Sequence, residues 1–329
     1  MSTIKDVAKL AGVAPSTVSK VLNNYTNVSE EIKVRVLKSV NDLNYIPNQV
    51  AASLSSKSKN RAGLLINVNN QRQSIDEINM QYLLGSTAAT RENNIESITI
   101  FSTLIKDMNY EELVIYLKSL SLNSLIIFGL NKEDQILHKI INEQILKIVV
   151  VDADFVNKST SCVTVNQYCG QYDVASKLLE TEHPKSILYI AGKQNGYVTE
   201  MRLAAIRDFC IDNSITLKEV FGDFSEKKAA QITHQYAEYY DAVVCASDLM
   251  AIGAQIQLQK DSCYKPVCGF DGISLMGYVG PGIITCVQDF YNIAVVAVEE
   301  LLNLLQGAES SIKMLDYEIT TISYESVII

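Results

Sequence analysis

From Arg61 onward the sequence alternates between short apolar runs and longer amphipathic stretches, and this alternation constrains the fold more than any other feature. Runs such as "AGLLINV", "NSLIIFG", "KIVVVD" and "SILYIAG" have the length and the β-branched content of buried strands. The stretches between them, of about 10–20 residues, have the length of helices. Strands that alternate with helices form parallel sheets, and roughly ten such units exceed what one open sheet usually holds. The sequence therefore predicts an α/β region of two lobes.

The residues before this region differ from it in charge. Residues 1–60 contain eight Lys or Arg and four Asp or Glu, whereas the whole chain has a formal net charge of −9. A basic segment on an acidic body favours a polyanionic partner for that segment alone. Nucleic acid is such a partner.

Helix signals divide this basic segment into three short helices. Thr3 and Asp6 form a T-x-x-D capping pattern, and Gly12 is predicted to end the first helix. Pro15 suits the first position of the second helix, and Ser29 is the predicted N-cap of the third. Three helices with a glycine turn between the first two are typical of a helix-turn-helix, although a small helical bundle without DNA function has the same pattern.

The residues of this segment also carry a family resemblance. The stretches "TIKDVAKLAGVAPSTVSKVLNN" and "VSEEIKVRVLKSVNDLNYIPNQVAASL" resemble the headpiece and hinge of the LacI/GalR family of bacterial transcription regulators. The resemblance implies an all-α helix-turn-helix DNA-binding headpiece in 1–46, a hinge helix and linker in 47–60, and an effector-binding and dimerisation core in 61–329. It further implies a homodimer that binds double-stranded, pseudo-palindromic operator DNA.

The resemblance also implies which residues contact DNA. Pro15 to Asn24 would be the recognition helix in the major groove, where Ser16 and Lys20 are among the side chains that face bases. Leu54 of each hinge helix would enter the minor groove between base steps. The hinge stretch "PNQVAASL" is too short for a stable isolated helix, so we expect it to fold on DNA, with a passive spacer as the alternative. The complete set of implied DNA contacts is Thr3, Pro15, Ser16, Thr17, Ser19, Lys20, Asn23, Tyr45, Asn48, Ala51 and Leu54.

Five further motifs extend the resemblance over nearly the whole chain. "VTVNQYCG", "MRLAAIRDF", "ASDLMAIGA", "VCGFDG" and "ITCVQDF" resemble the motifs of the family's effector-binding core, in family order. The resemblance implies the periplasmic-binding-protein-like fold, a two-lobed α/β core with parallel sheets. The lobes would comprise about 61–160 with 290–320, and 161–289 with 321–329, joined by three crossings.

The implied effector site lies in the cleft between these lobes, as is usual for open α/β sheets. Asp271 and Gln288 suit the hydroxyl groups of a polyol, and Phe224 offers an apolar face to a sugar ring. Arg202 could equally bind a carboxylate or a phosphate, because its planar fork matches those groups. Asn166 and Gln171 depart from the family motif and suggest an unusual pocket wall, and residues 69–80 are also atypical. The implied effector-binding residues are Asp152, Arg202, Phe224, Ser247, Asp271, Gln288 and Phe290.

Other classes of protein lack support in the sequence. We find no P-loop, no G-x-S-x-G and no H-E-x-x-H motif, so we predict no enzyme and no catalytic residues. The seven Cys include no CxxC pair, which argues against a disulfide framework and a metal site, and we expect no cofactor. The N-terminus does not resemble a signal peptide, and no apolar run reaches the ~18 residues of a membrane span. A cytoplasmic location without a membrane partner is therefore expected.

The resemblance thus implies a ligand-responsive DNA-binding transcription regulator. We expect a repressor of a carbohydrate-utilisation operon, with a sugar or sugar derivative that controls the hinge helices and operator affinity from between the core lobes. One alternative is a regulator that responds to a nucleobase, a phosphorylated metabolite or a co-regulator protein. Another is a sugar-binding protein that does not bind DNA.

Overall fold

A computed structural model describes residues 3–22, 28–43, 60–68, 76–280 and 282–327 of the chain. The chain divides into two compact units, Met1–Lys59 and Asn60–Ile329. The predicted hinge, 47–60, lies outside the described residues except for its last position. Within the described part, no helix is both long and apolar enough to cross a membrane.

The described part of the first unit contains three helices, α1 (Ile4–Ala11), α2 (Pro15–Leu22) and α3 (Glu30–Asp42). Thr3 caps α1 as predicted, since its hydroxyl accepts a hydrogen bond from the backbone of Asp6 and the Asp6 carboxylate accepts one from the backbone of Thr3. Gly12 ends the helix in the left-handed conformation, with φ of 65°. These contacts confirm the predicted start and end of α1.

Ser29 occupies the N-cap position of α3, but its side chain makes no capping hydrogen bond, so the predicted Ser29 cap is wrong. Glu30 and Glu31 instead place negative charge at the positive end of the α3 dipole.

Small apolar side chains from the three helices form the core of this unit. The buried core residues are Val7, Ala8, Ala11, Val18, Val21 and Val36.

The second unit contains two six-stranded sheets. The first has the strand order β11-β5-β4-β3-β1-β2, and all its neighbouring strands are parallel. The helices α4 (Glu77–Glu92) and α12 (Phe290–Leu305) cover one face, and α5 (Ser102–Ile105), α6 (Tyr110–Ser119) and α7 (Gln135–Glu143) cover the other. The strands are β1 (Arg61–Ile66), β2 (Glu96–Phe101), β3 (Ser124–Phe128), β4 (Lys147–Val151), β5 (Thr160–Val165) and β11 (Ile312–Leu315).

The second sheet has the order β12-β10-β9-β8-β6-β7, in which only β12 runs antiparallel to its neighbour. Helix α8 (Gln167–Glu182) packs on α9 (Tyr197–Asp212), and α10 (Glu226–Tyr236) packs on α11 (Asp248–Lys260). A short helix α13 (Tyr324–Val327) follows the last strand. The strands are β6 (Ser186–Ala191), β7 (Thr216–Phe221), β8 (Ala242–Cys245), β9 (Val267–Cys268), β10 (Ile283–Val287) and β12 (Glu318–Ile322).

The sheets place two lobe boundaries a few residues away from the expected ones. Strand β5 pairs with β4 and β11 in the first sheet, so the chain crosses after Val165 rather than after residue 160. Strand β12 belongs to the second sheet from Glu318, although 290–320 were expected in the first lobe. Each crossing falls where a strand ends, because a crossing inside a strand would leave ladder hydrogen bonds unpaired.

Candidate functional site

The carboxyl ends of strands from both sheets line one cleft between the lobes. Its cavity has a volume of about 240 Å³. All seven residues that the sequence implied as effector contacts line it: Asp152, Arg202, Phe224, Ser247, Asp271, Gln288 and Phe290.

Arg202, on α9, is buried, and each of its three side-chain nitrogens donates to a protein group. Its Nε and Nη2 both donate to the Oε1 of Gln167, at 2.9 and 2.7 Å, and its Nη1 donates to the carbonyl of Ala246. Nη1 also lies 3.5 Å from a carboxylate oxygen of Asp271, and the guanidinium carbon lies 3.7 Å from the ring centre of Phe270. A buried charge requires such pairing. The guanidinium is therefore held in a fixed orientation.

Asp271 faces the same space from the end of β9. The Nε2 of Gln288 donates to its carboxylate at 3.2 Å, and its φ of 133° is unusual for a residue other than glycine. Burial raises the pKa of this carboxyl to about 8, with the charge of Asp248 adding to the effect and that of Arg202 opposing it. Asp271 is therefore largely protonated near neutral pH and can both donate and accept a hydrogen bond.

Asp152 comes from the first lobe, after β4, in the left-handed conformation with φ of 58°. Its carboxylate accepts hydrogen bonds from the hydroxyl of Thr164 at 2.8 Å, the amide of Gln167 at 2.9 Å and the hydroxyl of Tyr82 at 3.4 Å. Burial raises the pKa of Asp152, and these donors partly oppose the effect. The predicted site residue therefore joins a network that spans the two lobes.

Aromatic rings form the apolar walls of the cleft. Tyr82 stacks on Phe128 at 4.4 Å between ring centres and meets Phe290 edge-on at 5.4 Å. Phe224 lies against Gly192, where an added Cβ would come within 2.1 Å of its ring. These rings can contact the apolar face of a ligand while the carboxyl and amide groups bind its polar edges.

Ser247 has a structural role in addition to its place in the lining. It is the N-cap of α11, where its hydroxyl accepts a hydrogen bond from the backbone of Met250 at 3.3 Å. A group that caps a helix is held in one rotamer, so its remaining hydrogen-bonding capacity points in a defined direction.

Two buried residues of the site were missed by the sequence reasoning. Gln167 connects Arg202 to Asp152 and also lies 3.4 Å from Gln288, although nothing in its residue type marks it. Asp248 accepts from the backbones of Gly272 and Ile273, at 2.6 and 2.8 Å, and from Thr285 at 2.7 Å.

The motif "ASDLMAIGA" contained the signal for Asp248, but only its Ser was selected as a site residue. Burial raises the pKa of Asp248 to about 6, and its three donors oppose that rise. This carboxylate fixes the loop that carries Asp271.

The expectation that Asn166 and Gln171 alter a pocket wall is wrong. Asn166 caps α8 by accepting from the backbone of Cys169 at 2.9 Å, and Gln171 accepts from the hydroxyl of Tyr189 inside the second lobe. Neither is among the described residues that line the cleft. Both side chains bond to groups of the second lobe, and they were misassigned because the motif gives no side-chain direction.

In the headpiece, the described candidates for DNA contact lie on α2, except Thr3, which caps α1. Pro15, Ser16 and Lys20 are exposed, and Thr17 and Ser19 are half-buried, while Val18 and Val21 of the same helix face the core. The hydroxyl of Thr3 is already used in the α1 cap. The other candidates, Asn23, Tyr45, Asn48, Ala51 and Leu54, lie outside the described residues.

Comparisons with known proteins agree with this arrangement. Residues 3–48 match the family described as bacterial regulatory proteins, lacI family. The chain is 29% identical to the HTH-type transcriptional regulator RegA of Clostridium saccharobutylicum, over 94% of each chain. It is 27% identical to the ribose operon repressor of Haemophilus influenzae, over 99% of each.

Solved structures show the same fold. The lac repressor dimer bound to operator and the anti-inducer ONPF is similar with a TM-score of 0.82 and 23% identity, over 98% of each chain. The transcriptional regulator CelR in complex with cellobiose is similar with a TM-score of 0.72 and 22% identity, over 98% of this chain and 100% of that one.

Residues 3–48 match a family of DNA-binding regulatory proteins, and the relatives that span nearly the whole chain are transcriptional regulators and repressors, so the chain is a ligand-responsive DNA-binding transcription regulator and not an enzyme. Its DNA-binding segment, residues 3–48, matches the lacI family of bacterial regulatory proteins, and regulators that are 26–29% identical to it span nearly the whole chain. The predicted family, fold class and regulatory function are thereby confirmed.

Proposed function

We propose that this regulator is a homodimeric repressor whose effector is an uncharged, hydroxyl-rich molecule, a sugar or sugar derivative, bound in the interlobe cleft. The observation that carries the proposal is the engagement of Arg202. Its donors are directed to Gln167, Ala246 and Asp271, all of which belong to the protein. An anionic effector that binds the guanidinium through two N–H groups would have to displace one of them.

The remaining polar groups of the cleft favour hydroxyl groups. The carboxylate of Asp152 would repel an anionic ligand, whereas a hydroxyl can donate to Asp152, donate to or accept from the protonated Asp271, and accept from an amide such as that of Gln288. The rings of Phe224 and Phe290 line the same cavity and suit the apolar face of a sugar ring. A carbohydrate can bond to the polar groups and pack on the rings. A phosphorylated metabolite would bring negative charge close to Asp152, and the guanidinium of Arg202 is already bonded to protein groups.

The proposed DNA contacts are those of the exposed side of α2. Ser16, Thr17 and Lys20 would contact bases, and the hinge residues, with Leu54 among them, would contact the minor groove. Effector binding would change the closure of the lobes and thereby the affinity for operator. This is an allosteric coupling, which is typically worth about 1–3 kcal/mol.

Two measurements test the proposal. First, the purified chain is used to select genomic DNA fragments at moderate salt, and a selected pseudo-palindromic site is titrated at several salt concentrations. We expect a steep loss of affinity with salt, because phosphate contacts release counterions. Absence of any preferred sequence would contradict the regulator.

Second, thermal unfolding is measured with neutral sugars, sugar phosphates and nucleobases. A specific ligand at 100 times its Kd adds about 2.7 kcal/mol of stability. We expect stabilisation by a neutral sugar, and this sugar should change affinity for the selected site. Stabilisation by sugar phosphates or nucleobases alone would show that the effector class is wrong while leaving the DNA function intact.

A further inference from the structure

A second cavity adjoins the effector cleft, and all its described lining residues except Lys193 belong to the first lobe. It has a volume of about 530 Å³, compared with about 240 Å³ for the cleft. We call it the side chamber. Its wall is formed by the ends of β1 and β3, helix α5 and the first turn of α7, among other residues. Ligand sites typically measure about 300–1,000 Å³, so the cleft alone is small for a ligand larger than a single sugar ring.

The position of the side chamber follows from the connectivity of the first sheet. After β1 the chain turns to the face covered by α4, and after β3 it turns to the opposite face, covered by α7. The two connections therefore diverge after adjacent strands, which leaves a crevice at the carboxyl ends of β1 and β3. Such switch points are where open α/β sheets bind ligands.

The side chamber and the cleft share part of their wall, so the two cavities are immediate neighbours. The shared residues include Asn67 and Gly129, whose φ is 80°. The amide of Asn67 donates to the carbonyl of Gly129 at 2.8 Å, and a Cβ on Gly129 would come within 3.1 Å of the Asn67 Cβ. A side chain at Gly129 would therefore crowd the junction, and glycine leaves it open. The other shared residues are Phe128, Asn131 and Lys193.

The lining of the side chamber is aliphatic inside and polar at the rim. The rim carries charges of both signs, Lys106 and Lys193 with Glu133 and Asp134, so it favours neither an anionic nor a cationic ligand. The aliphatic part can cover an apolar ring face. It consists of Leu65, Ile105, Leu113, Ile127, Ile136 and Leu137.

We propose that the side chamber binds the second ring of a two-ring, uncharged effector whose first ring, the sugar, occupies the cleft. The second ring is joined to the sugar by a glycosidic bond and is either another sugar or an aromatic aglycone. This inference rests on the proposed function, since it requires a carbohydrate in the cleft.

The experiment uses the full chain and a panel of common aldoses, each offered as the methyl glycoside, the phenyl glycoside and a disaccharide. Affinities are measured by titration calorimetry for wild type, Thr103→Trp, Ile136→Ala and Ile115→Trp. Thr103 is an exposed residue that lines the side chamber alone, and Ile136 belongs to its aliphatic part. Ile115 is an exposed residue of α6 that lines neither cavity and serves as the matched control.

For one aldose we expect a two-ring ligand to bind at least about tenfold more tightly than its methyl glycoside. Thr103→Trp and Ile136→Ala should reduce this ratio without changing affinity for the methyl glycoside, whereas Ile115→Trp should preserve it. A preference for phenyl glycosides or for disaccharides identifies the second ring.

Equal affinities of the one-ring and two-ring ligands, or a ratio unchanged in both chamber variants, would overturn the side chamber and leave the sugar effector standing. If no glycoside of any kind binds, the sugar effector itself is wrong, and the inference falls with it.

Discussion

The two lobes present polar groups to the cleft in different ways. In the second lobe, Asp248 accepts from two backbone amides and one hydroxyl, and Arg202 donates to a backbone carbonyl of the same lobe. In the first lobe, the carboxylate of Asp152 accepts only from side chains, and one of these, Gln167, begins the helix after the crossing. Backbone groups therefore preorganise the second lobe, whereas in the first lobe side chains hold Asp152, and one of them belongs to the second lobe.

This difference suggests that the two lobes have different roles in ligand binding. Groups fixed by the backbone keep their orientation whether the lobes are open or closed, so the second lobe would set how the ligand is oriented. Contacts across the cleft, such as the hydrogen bonds from the backbone and hydroxyl of Ser274 to the carboxylate of Glu77, exist only when the lobes approach. The first lobe would therefore set how strongly a ligand closes the cleft.

The largest expected effect is that of Asp248→Ala on stability. The substitution leaves two backbone amides and one hydroxyl without their buried acceptor, which we expect to lower the free energy of unfolding by about 3–5 kcal/mol. Denaturant unfolding of the wild type and of Asp248→Ala measures this difference in free energy. Asp152→Ala is the matched control from the first lobe and should cost less, since its donors are side chains that can reorient. A larger loss for Asp152→Ala would invert the comparison.

The second prediction concerns the connection between the lobes. Gln167→Leu removes the acceptor of Arg202 and the donor to Asp152, and we expect it to weaken effector binding by about 1.5–3 kcal/mol, since both are hydrogen bonds to charged groups. Calorimetric titration with the sugar found in the screen measures the change. Gln171→Leu, a buried glutamine that bonds Tyr189 within the second lobe, should leave affinity within about half a kcal/mol. Equal losses in the two variants would argue against a coupling role for Gln167.

The third prediction is a dependence of stability on pH. The pKa of Asp271 is raised to about 8 in the folded protein, above its ordinary value, so the folded state retains a proton that the unfolded state releases. Its contribution to stability is full below the unfolded pKa and is lost as the pH rises through the folded pKa. We expect wild type to lose at least about 1.4 kcal/mol, the equivalent of one pKa unit, between pH 5 and pH 8. Asp271→Asn should lose less over the same range, and parallel pH profiles would contradict the assignment.

The smallest expected effect is that of a contact across the mouth of the cleft. Glu77→Gln weakens the acceptor for the backbone and hydroxyl of Ser274, both at 2.7–3.0 Å. Because the site is exposed, we expect a loss of about 0.5–1 kcal/mol in effector affinity and almost none in affinity for the selected DNA without effector. Glu111→Gln, in the first turn of α6, is the control. A loss of DNA affinity without effector would show that the contact also sets the resting state of the lobes.

Much of this architecture was predictable from the sequence because the pattern that specifies it is local. The apolar runs after Arg61 became strands, and the capping residues Thr3 and Gly12 marked both ends of the first helix. The seven implied effector residues lie at one cleft because parallel strands bring their carboxyl ends together. Ser29 shows the limit, since the residue type suited a cap that its side chain does not form.

The sequence by itself determined the class of fold, the order of the elements and the position of the cleft, because hydrophobic period and motif order are properties of the chain alone. Only the tertiary structure decided which polar groups in the cleft remain available to a ligand. Arg202 looked like an anion site, but Gln167, which comes 35 residues earlier in the chain, occupies two of its donors. Burial raises the pKa of Asp271, and neither the partner nor the burial can be derived from residue type, because both depend on which distant segments meet.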